Sequence, residues 1–226
     1  MNLLLSLAAH RHKSGGVTPT GPVSYIATTN TAYGTPSSQS VSTPSGTQVG
    51  DLLVCVTMTT NTPISTPAGW TLVVTVGPAT AVSANKYTTV YKKIAVSGDI
   101  GGSATFAQSA GGRMGCSMSS FRRTGGCDIL STTNAIDSAN TLTTTVTAPV
   151  ASSLDNMVVL CSSFVTTGTS LSFASPWTND TNTTVTDARL VVAHMAPTST
   201  SVAESSVATC VGGGSNAKAN VGILIG

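Results

Sequence analysis

Charge is scarce in this sequence. Lys, Arg, Asp and Glu together make up 8% of its 226 residues, against about a quarter in an average soluble domain. The formal net charge is only +2. A nucleic-acid face needs clustered basic residues interleaved with aromatics. The basic pairs Lys92-Lys93 and Arg122-Arg123 are expected at strand ends, as solvated charge. No nucleic-acid partner is expected. Aromatic residues are equally few, at 4%, which leaves little from which to build a carbohydrate platform. Long apolar runs are also missing, and none reaches the length of a membrane span. No long segment repeats apolar residues at helical spacing without Gly, Pro or Thr-Ser interruptions. Without crossover helices, parallel βαβ units are excluded.

Catalytic signatures are missing too. There is no G-x-S-x-G elbow, no Walker loop, no H-E-x-x-H and no G-x-G-x-x-G. The stretch CVGGGSNAK, from Cys210, looks like a phosphate loop but lacks the spacing and the helix, and reads as a hairpin turn. Glu204 is the single glutamate. Asp51, Asp99 and Asp155 fall in turns, where a carboxylate bonding its own backbone is the ordinary arrangement. His10 and His12 lie near the N-terminus and His194 near a strand end, with no nucleophile motif beside it. The expectation is a protein that is not an enzyme, with no cofactor and no metal.

The five cysteines are an odd number, so at least one is unpaired within the chain. Cys55, Cys116 and Cys161 sit in apolar runs and read as small core residues; Cys127 and Cys210 stay open. No Cys/His spacing suggests zinc. Reduced thiols fit assembly inside a cell.

What the sequence does contain is Thr, Ser, Gly, Val and Ala, with 40% hydrophobic residues. That composition suits pleated, half-buried surfaces. Strands are expected near 23–29, 51–60, 70–76, 87–96, 103–108, 113–122, 141–148, 156–166, 171–173, 188–195, 202–210 and 219–225, punctuated by Gly-rich turns. The fold class is all-β.

The chain also repeats itself. VGDLLVCVTM (from Val49) is echoed by LDNMVVLCSSF (from Leu154), and TPAGWTLVV (from Thr66) by ASPWTNDT (from Ala174). Cys55 and Cys161 are 106 positions apart, Trp70 and Trp177 107. MGCSMSSF, from Met114, would match NVGILIG, from Asn220. These echoes define half-repeats at about 36–125 and 140–226. The expectation is that both halves share one core, as a single jelly-roll-like β-sandwich over 17–226. Trp70, Trp177, Cys55 and Cys161 would be structural core. The tryptophans follow turns and precede apolar residues, where a Trp usually closes a core. Two Asn-x-Thr triplets, starting at Asn179 and Asn182, would matter only on a secretory route.

Residues 1–16 read as an N-terminal extended arm. Leu3, Leu4, Leu5 and Leu7 precede a glycine-bearing linker, and Arg11 and Lys13 follow the apolar block instead of preceding it, the wrong order for a cleaved secretory signal. The arm is expected to dock on a neighbouring subunit or another protein, with Arg11 and Lys13 at the rim. The alternative is that it folds back on its own domain.

VGDLLVCVTM, TPAGWTLV and YTTVYKKIAVSGD, spanning Val49 to Asp99, resemble a group of β-sandwich proteins encoded in tailed-bacteriophage structural gene clusters. The resemblance covers about 36–226 and loosens in the second half, where Gly-Asp becomes Asp155-Asn156 and Gly-Trp becomes Pro176-Trp177. It implies a virion component, assembled in the host cytoplasm, whose partners are other virion proteins and copies of itself. The function expected from it is a non-enzymatic structural accessory, a head decoration or a tail or fibre component attached through its arm. The alternative is a tail adhesin that binds a host glycan or receptor through its loops. An adhesin should cluster aromatics in loops, and only Tyr33 and Phe106 are candidates.

Overall fold

The computed structural model describes residues 18–31, 34–81, 84–139, 141–166, 170–182, 189–211 and 215–226. The arm, with Leu3, Leu4, Leu5, Leu7, Arg11 and Lys13, lies outside the described residues, as do His10, His12 and Tyr33. Among the described residues there is no α-helix, only strands and one 3-10 turn at Ser97–Asp99. The protein is all-β.

Among the described residues, sixteen strands fall into four antiparallel sheets. The first eight are β1 (Thr20–Asn30), β2 (Ser38–Ser42), β3 (Leu52–Thr59), β4 (Pro63–Ser65), β5 (Thr71–Ala81), β6 (Ala84–Ile94), β7 (Ser103–Gln108) and β8 (Met114–Thr124). The next eight are β9 (Ile129–Asp137), β10 (Thr143–Thr147), β11 (Met157–Thr166), β12 (Ser170–Phe173), β13 (Thr178–Asn182), β14 (Arg189–Met195), β15 (Ser205–Val211) and β16 (Ser215–Ile225). The first eight form a five-stranded sheet, β1-β8-β3-β6-β5, and a three-stranded sheet, β2-β7-β4. The last eight repeat both orders strand for strand, read from the opposite edge as β13-β14-β11-β16-β9 and β10-β15-β12.

This corrects the expectation of one sandwich shared by two halves. Each repeat builds a two-sheet module of its own. The first has a core of Leu53, Cys55, Trp70, Tyr91, Phe106 and Met118; the second has one of Leu160, Phe164, Leu171, Phe173, Trp177 and Cys210. The repeats therefore begin earlier than expected, because β1 and β9 belong to them. Gly125–Asp128 is the short linker between modules, and Asp128 exchanges backbone hydrogen bonds with Gly226 (3.0 Å each).

A third core joins the modules. The two five-stranded sheets pack against each other through Leu52, Val54, Val56, Met58, Val90 and Phe121 of the first module. Val159, Cys161, Leu190, Val192, Val221 and Ile223 face them from the second. The result is four layers with the large sheets innermost. Alternation along a strand now explains why every residue of β3 is buried. Leu52, Val54, Val56 and Met58 face the other module, while Leu53 and Cys55 face their own small sheet. A strand sealed on both sides reads as a continuous apolar run.

Hydroxyls stitch the central layer where apolar packing leaves polar atoms. The Thr88 and Ser163 hydroxyls are 2.6 Å apart, and Thr88 Oγ1 donates to the Ala219 carbonyl at 3.0 Å. Ser117 Oγ lies 2.7 Å from Thr181 Oγ1, which donates to Asn30 Oδ1 at 2.6 Å.

Lys86, 1% exposed, shares the strand face of Thr88 and Val90. Burial pushes its ammonium down to about 8, and the charge of Arg113 adds to the shift. The unfolded chain keeps this proton to about 10.5, so the cost of the buried charge is complete below about pH 8 and is relieved as pH rises from there. Buried thiols act in the opposite sense. Burial raises Cys127 to about 11 and also raises Cys55 and Cys161. Above about pH 9 the unfolded chain sheds thiol protons that the fold retains, and stability falls. Urea titrations across pH should show stability rising from about pH 8 to 9 and then declining. In Lys86→Met the rising limb should vanish; its survival would assign it to another group.

Candidate functional site

The basic pairs are spent inside the molecule. Lys92 Nζ meets Asp128 Oδ1 and Lys93 Nζ meets Asp99 Oδ1, each at 2.6 Å. Arg122 forks onto Asp51 (Nε to Oδ1 2.7 Å, a terminal nitrogen to Oδ2 2.8 Å), and Arg123 Nε donates to the Gly21 carbonyl. Two of the three turn carboxylates bond their own turns, Asp51 Oδ2 accepting from Gln48 N at 2.7 Å and Asp99 Oδ2 from Val96 N at 2.8 Å; at Asp155 it is the backbone N–H that closes the turn, donating to Ser153 Oγ at 3.1 Å. Glu204 accepts from the backbone and hydroxyl of Thr198, and these bonds hold its carboxyl below the usual range.

His194 has a partner that no sequence motif signals. Its Nδ1 lies 2.8 Å from Asp180 Oδ1, across the β13–β14 pair of the second module. Its ring stacks on Tyr25 of β1 in the first module, with centroids 4.0 Å apart and planes 16° from parallel. Burial raises the Tyr25 phenol. An Asp-oriented imidazole is two-thirds of a hydrolytic triad, but here one ring face is covered by a tyrosine from the other module. The cluster acts as a clasp across the seam. His194→Ala should lower stability by about 1–2 kcal/mol, read by urea denaturation; an unchanged midpoint would remove the clasp.

A shallow cleft between β9 and β10, lined by Thr133, Asn134, Thr145, Thr147 and Asn220, holds no ionisable group. Among the described residues no three His, Cys, Asp or Glu side chains gather as a metal site.

The expected core residues can now be placed. Trp70 and Trp177 are 9% and 6% exposed, each closing its own module's core. Their backbone N–H groups bond the carbonyl three residues back, Pro67 and Ala174, so the two turns are equivalent. Cys55 and Cys161 are both buried, but they are not equivalent. Asp51 and Asn156 occupy matching turns, Asn156 Oδ1 accepting from Ser153 N at 2.8 Å. Counted from those turns, the cysteines are one position out of step. Cys55 therefore faces its own small sheet and Cys161 the opposite module. All five cysteines are buried and none is in a disulfide, so thiol reagents should label none before denaturation; labelling of the native protein would contradict these placements. Phe106, a candidate loop aromatic, lies on β7 and is 1% exposed. Asn179 clamps the backbone of Phe173, accepting from its N–H and donating to its carbonyl.

One surface remains. The equivalent turns before β3 and β11 each carry a bulky aliphatic at the tip, Val49 at 66% exposure and Leu154 at 57%. Gly50, with φ of 93°, supplies the left-handed residue of the turn before β3. Ile94 and Val96 flank Ala95, whose backbone bonds the same turn (Gly50 N to the Ala95 carbonyl, Ala95 N to the Asp51 carbonyl); Ile100 follows β6 and Val202 follows β14, and all four are exposed. Strand register places each group at the end where β3 or β11 starts and β6, β8, β14 and β16 finish. Val23 N donates to the Asp155 carbonyl at 2.7 Å and Lys92 pairs with Asp128. These contacts hold the corresponding ends of the two modules side by side. Exposed aliphatics scattered singly mean little; here several lie at one end, and Val49 and Leu154 occupy matched positions of the two repeats.

No protein-family model, no curated protein and no solved structure matches this chain.

Proposed function

We propose that the chain is a non-enzymatic structural accessory of a tailed-phage virion, a head decoration or a tail or fibre component, assembled in the host cytoplasm and attached through its N-terminal arm. The observation that carries the reading is the end face just described. A module pair sealed by three apolar cores, with its two basic pairs engaged internally, carries exposed aliphatics at the same end of both modules, and we read that end as an assembly contact.

The winding supports the same reading. In each module the first strand lies beside the eighth, the third beside the sixth and the second beside the seventh. We read that as a jelly-roll-like winding with the fifth strand moved to the larger sheet, an architecture that serves viral capsid proteins as well as lectins and cupins. The alternative of a glycan-binding adhesin draws no support from the tryptophans and phenylalanines, all of which are buried.

The test is to purify particles of the phage that encodes the chain and quantify the protein by mass spectrometry. Many copies per particle are expected. Abundant protein in the lysate with none in the particles would end this reading.

A further inference from the structure

We infer that the apolar end face is the seat for the leucine segment Leu3–Leu7 of a second copy of this chain. This rests on the reading of the protein as an assembled structural component, and names its partner.

Two features of this end identify the occupant. The first is where the chain enters. Thr20 pairs with Thr124 at the start of β1, so residues 1–17 are joined to the molecule at the end face itself. They contain the most concentrated leucine cluster of the sequence, Leu3, Leu4, Leu5 and Leu7. Burying each such side chain is worth about 1.5–3 kcal/mol, and the exposed aliphatics of the face offer matching chemistry.

The second is direction. Thr18 and Pro19 continue the line of β1 past the end of β8 and press on Gly125, where an added Cβ would stand 2.9 Å from Pro19 Cα and 3.1 Å from the Thr18 carbonyl carbon. Pro19 restricts Thr18 to extended backbone. The chain is thus aimed away from its own end face along the strand axis. The ten residues between Leu7 and Thr18 span at most about 35 Å, enough to cross to the face of an abutting copy. Each copy offers one segment and one face, so reciprocal exchange closes a dimer or a ring, while unreciprocated exchange runs on as a chain.

Full-length variants test this by complementation. Val49→Asp with Leu154→Asp spoils the face and keeps the segment. Replacing Leu3, Leu4, Leu5 and Leu7 with Ser spoils the segment and keeps the face. All these positions lie on the surface or outside the described fold, and circular dichroism checks that the sheets are intact. By light scattering, the unsubstituted protein should be oligomeric and each variant monomeric. The two variants mixed in equal amounts should form a heterodimer through the one intact segment and the one intact face. A monomeric unsubstituted protein, a variant that still self-associates, or a mixture that stays monomeric would each overturn the inference. A segment seated on its own copy's face would appear as the first of these. If particles incorporate a protein that never self-associates, the virion reading stands and this inference alone falls.

Discussion

Trp177→Ala is expected to destabilise the protein by about 3–5 kcal/mol, the usual range for removing a buried aromatic from a packed core. Trp70→Ala should cost a similar amount. Trp177 lies against Phe173 with ring centroids 6.2 Å apart, among Leu160, Leu171 and Val191. Trp70 meets Phe106 edge-on at 5.3 Å. Each indole packs in the core between a large and a small sheet. Since domains are typically stable by 5–15 kcal/mol, either change removes a large share of the total. Urea denaturation measures the loss. A loss under 1 kcal/mol would mean that the indole is solvated and would reopen it as a ligand platform.

Val221→Asp is expected to have the largest effect. Val221 is fully buried on β16, between β11 and β9, and faces the first module across the central layer. A carboxylate there must either ionise in an apolar layer or stay protonated without the hydration it had in water, at a cost of several kcal/mol on top of the lost packing. The central layer takes residues from both modules, so the damage should not stay in one. Calorimetry of the unsubstituted protein should show a single transition, and Val221→Asp should lower it or abolish folding in both modules together. Two transitions, of which only the second moved, would mean that the modules fold independently.

The all-β class and most strands were legible because β-branched and apolar runs alternate with Gly-rich turns; β7 was read at its true ends. The strands not expected were β2, β4, β9 and β13. β4 is three residues long, and β9 is a sheet edge whose residues are mostly half-buried or exposed, so neither produces apolar alternation. Missing β9 hid the start of the second repeat. Two incomplete repeats then looked like halves of one sandwich.

The repetition itself was read correctly at the tryptophans and one residue out at the cysteines. A conspicuous residue type attracts alignment, but strand parity decides which face it occupies, and the matched turns at Asp51 and Asn156 were the better anchors. The end face was not legible at all. Val49, Leu154 and Val202 are ordinary aliphatics in sequence, and only the side-by-side modules gather them. The His194–Asp180 pair was hidden for the same reason, since strand pairing brings the two residues together.

The two modules pack large sheet to large sheet with their ends in step. Thr88 and Ser163 test that directly. Their hydroxyls, from β6 and β11, are 2.6 Å apart and buried, which places their Cβ atoms within about 5 Å, near the span of a disulfide. In the Thr88→Cys, Ser163→Cys double variant, mild oxidation should form an intrachain disulfide, found by peptide mapping under non-reducing conditions, with the monomer's mass otherwise unchanged. Failure of the bond to form, or its formation only between chains, would contradict the four-layer arrangement.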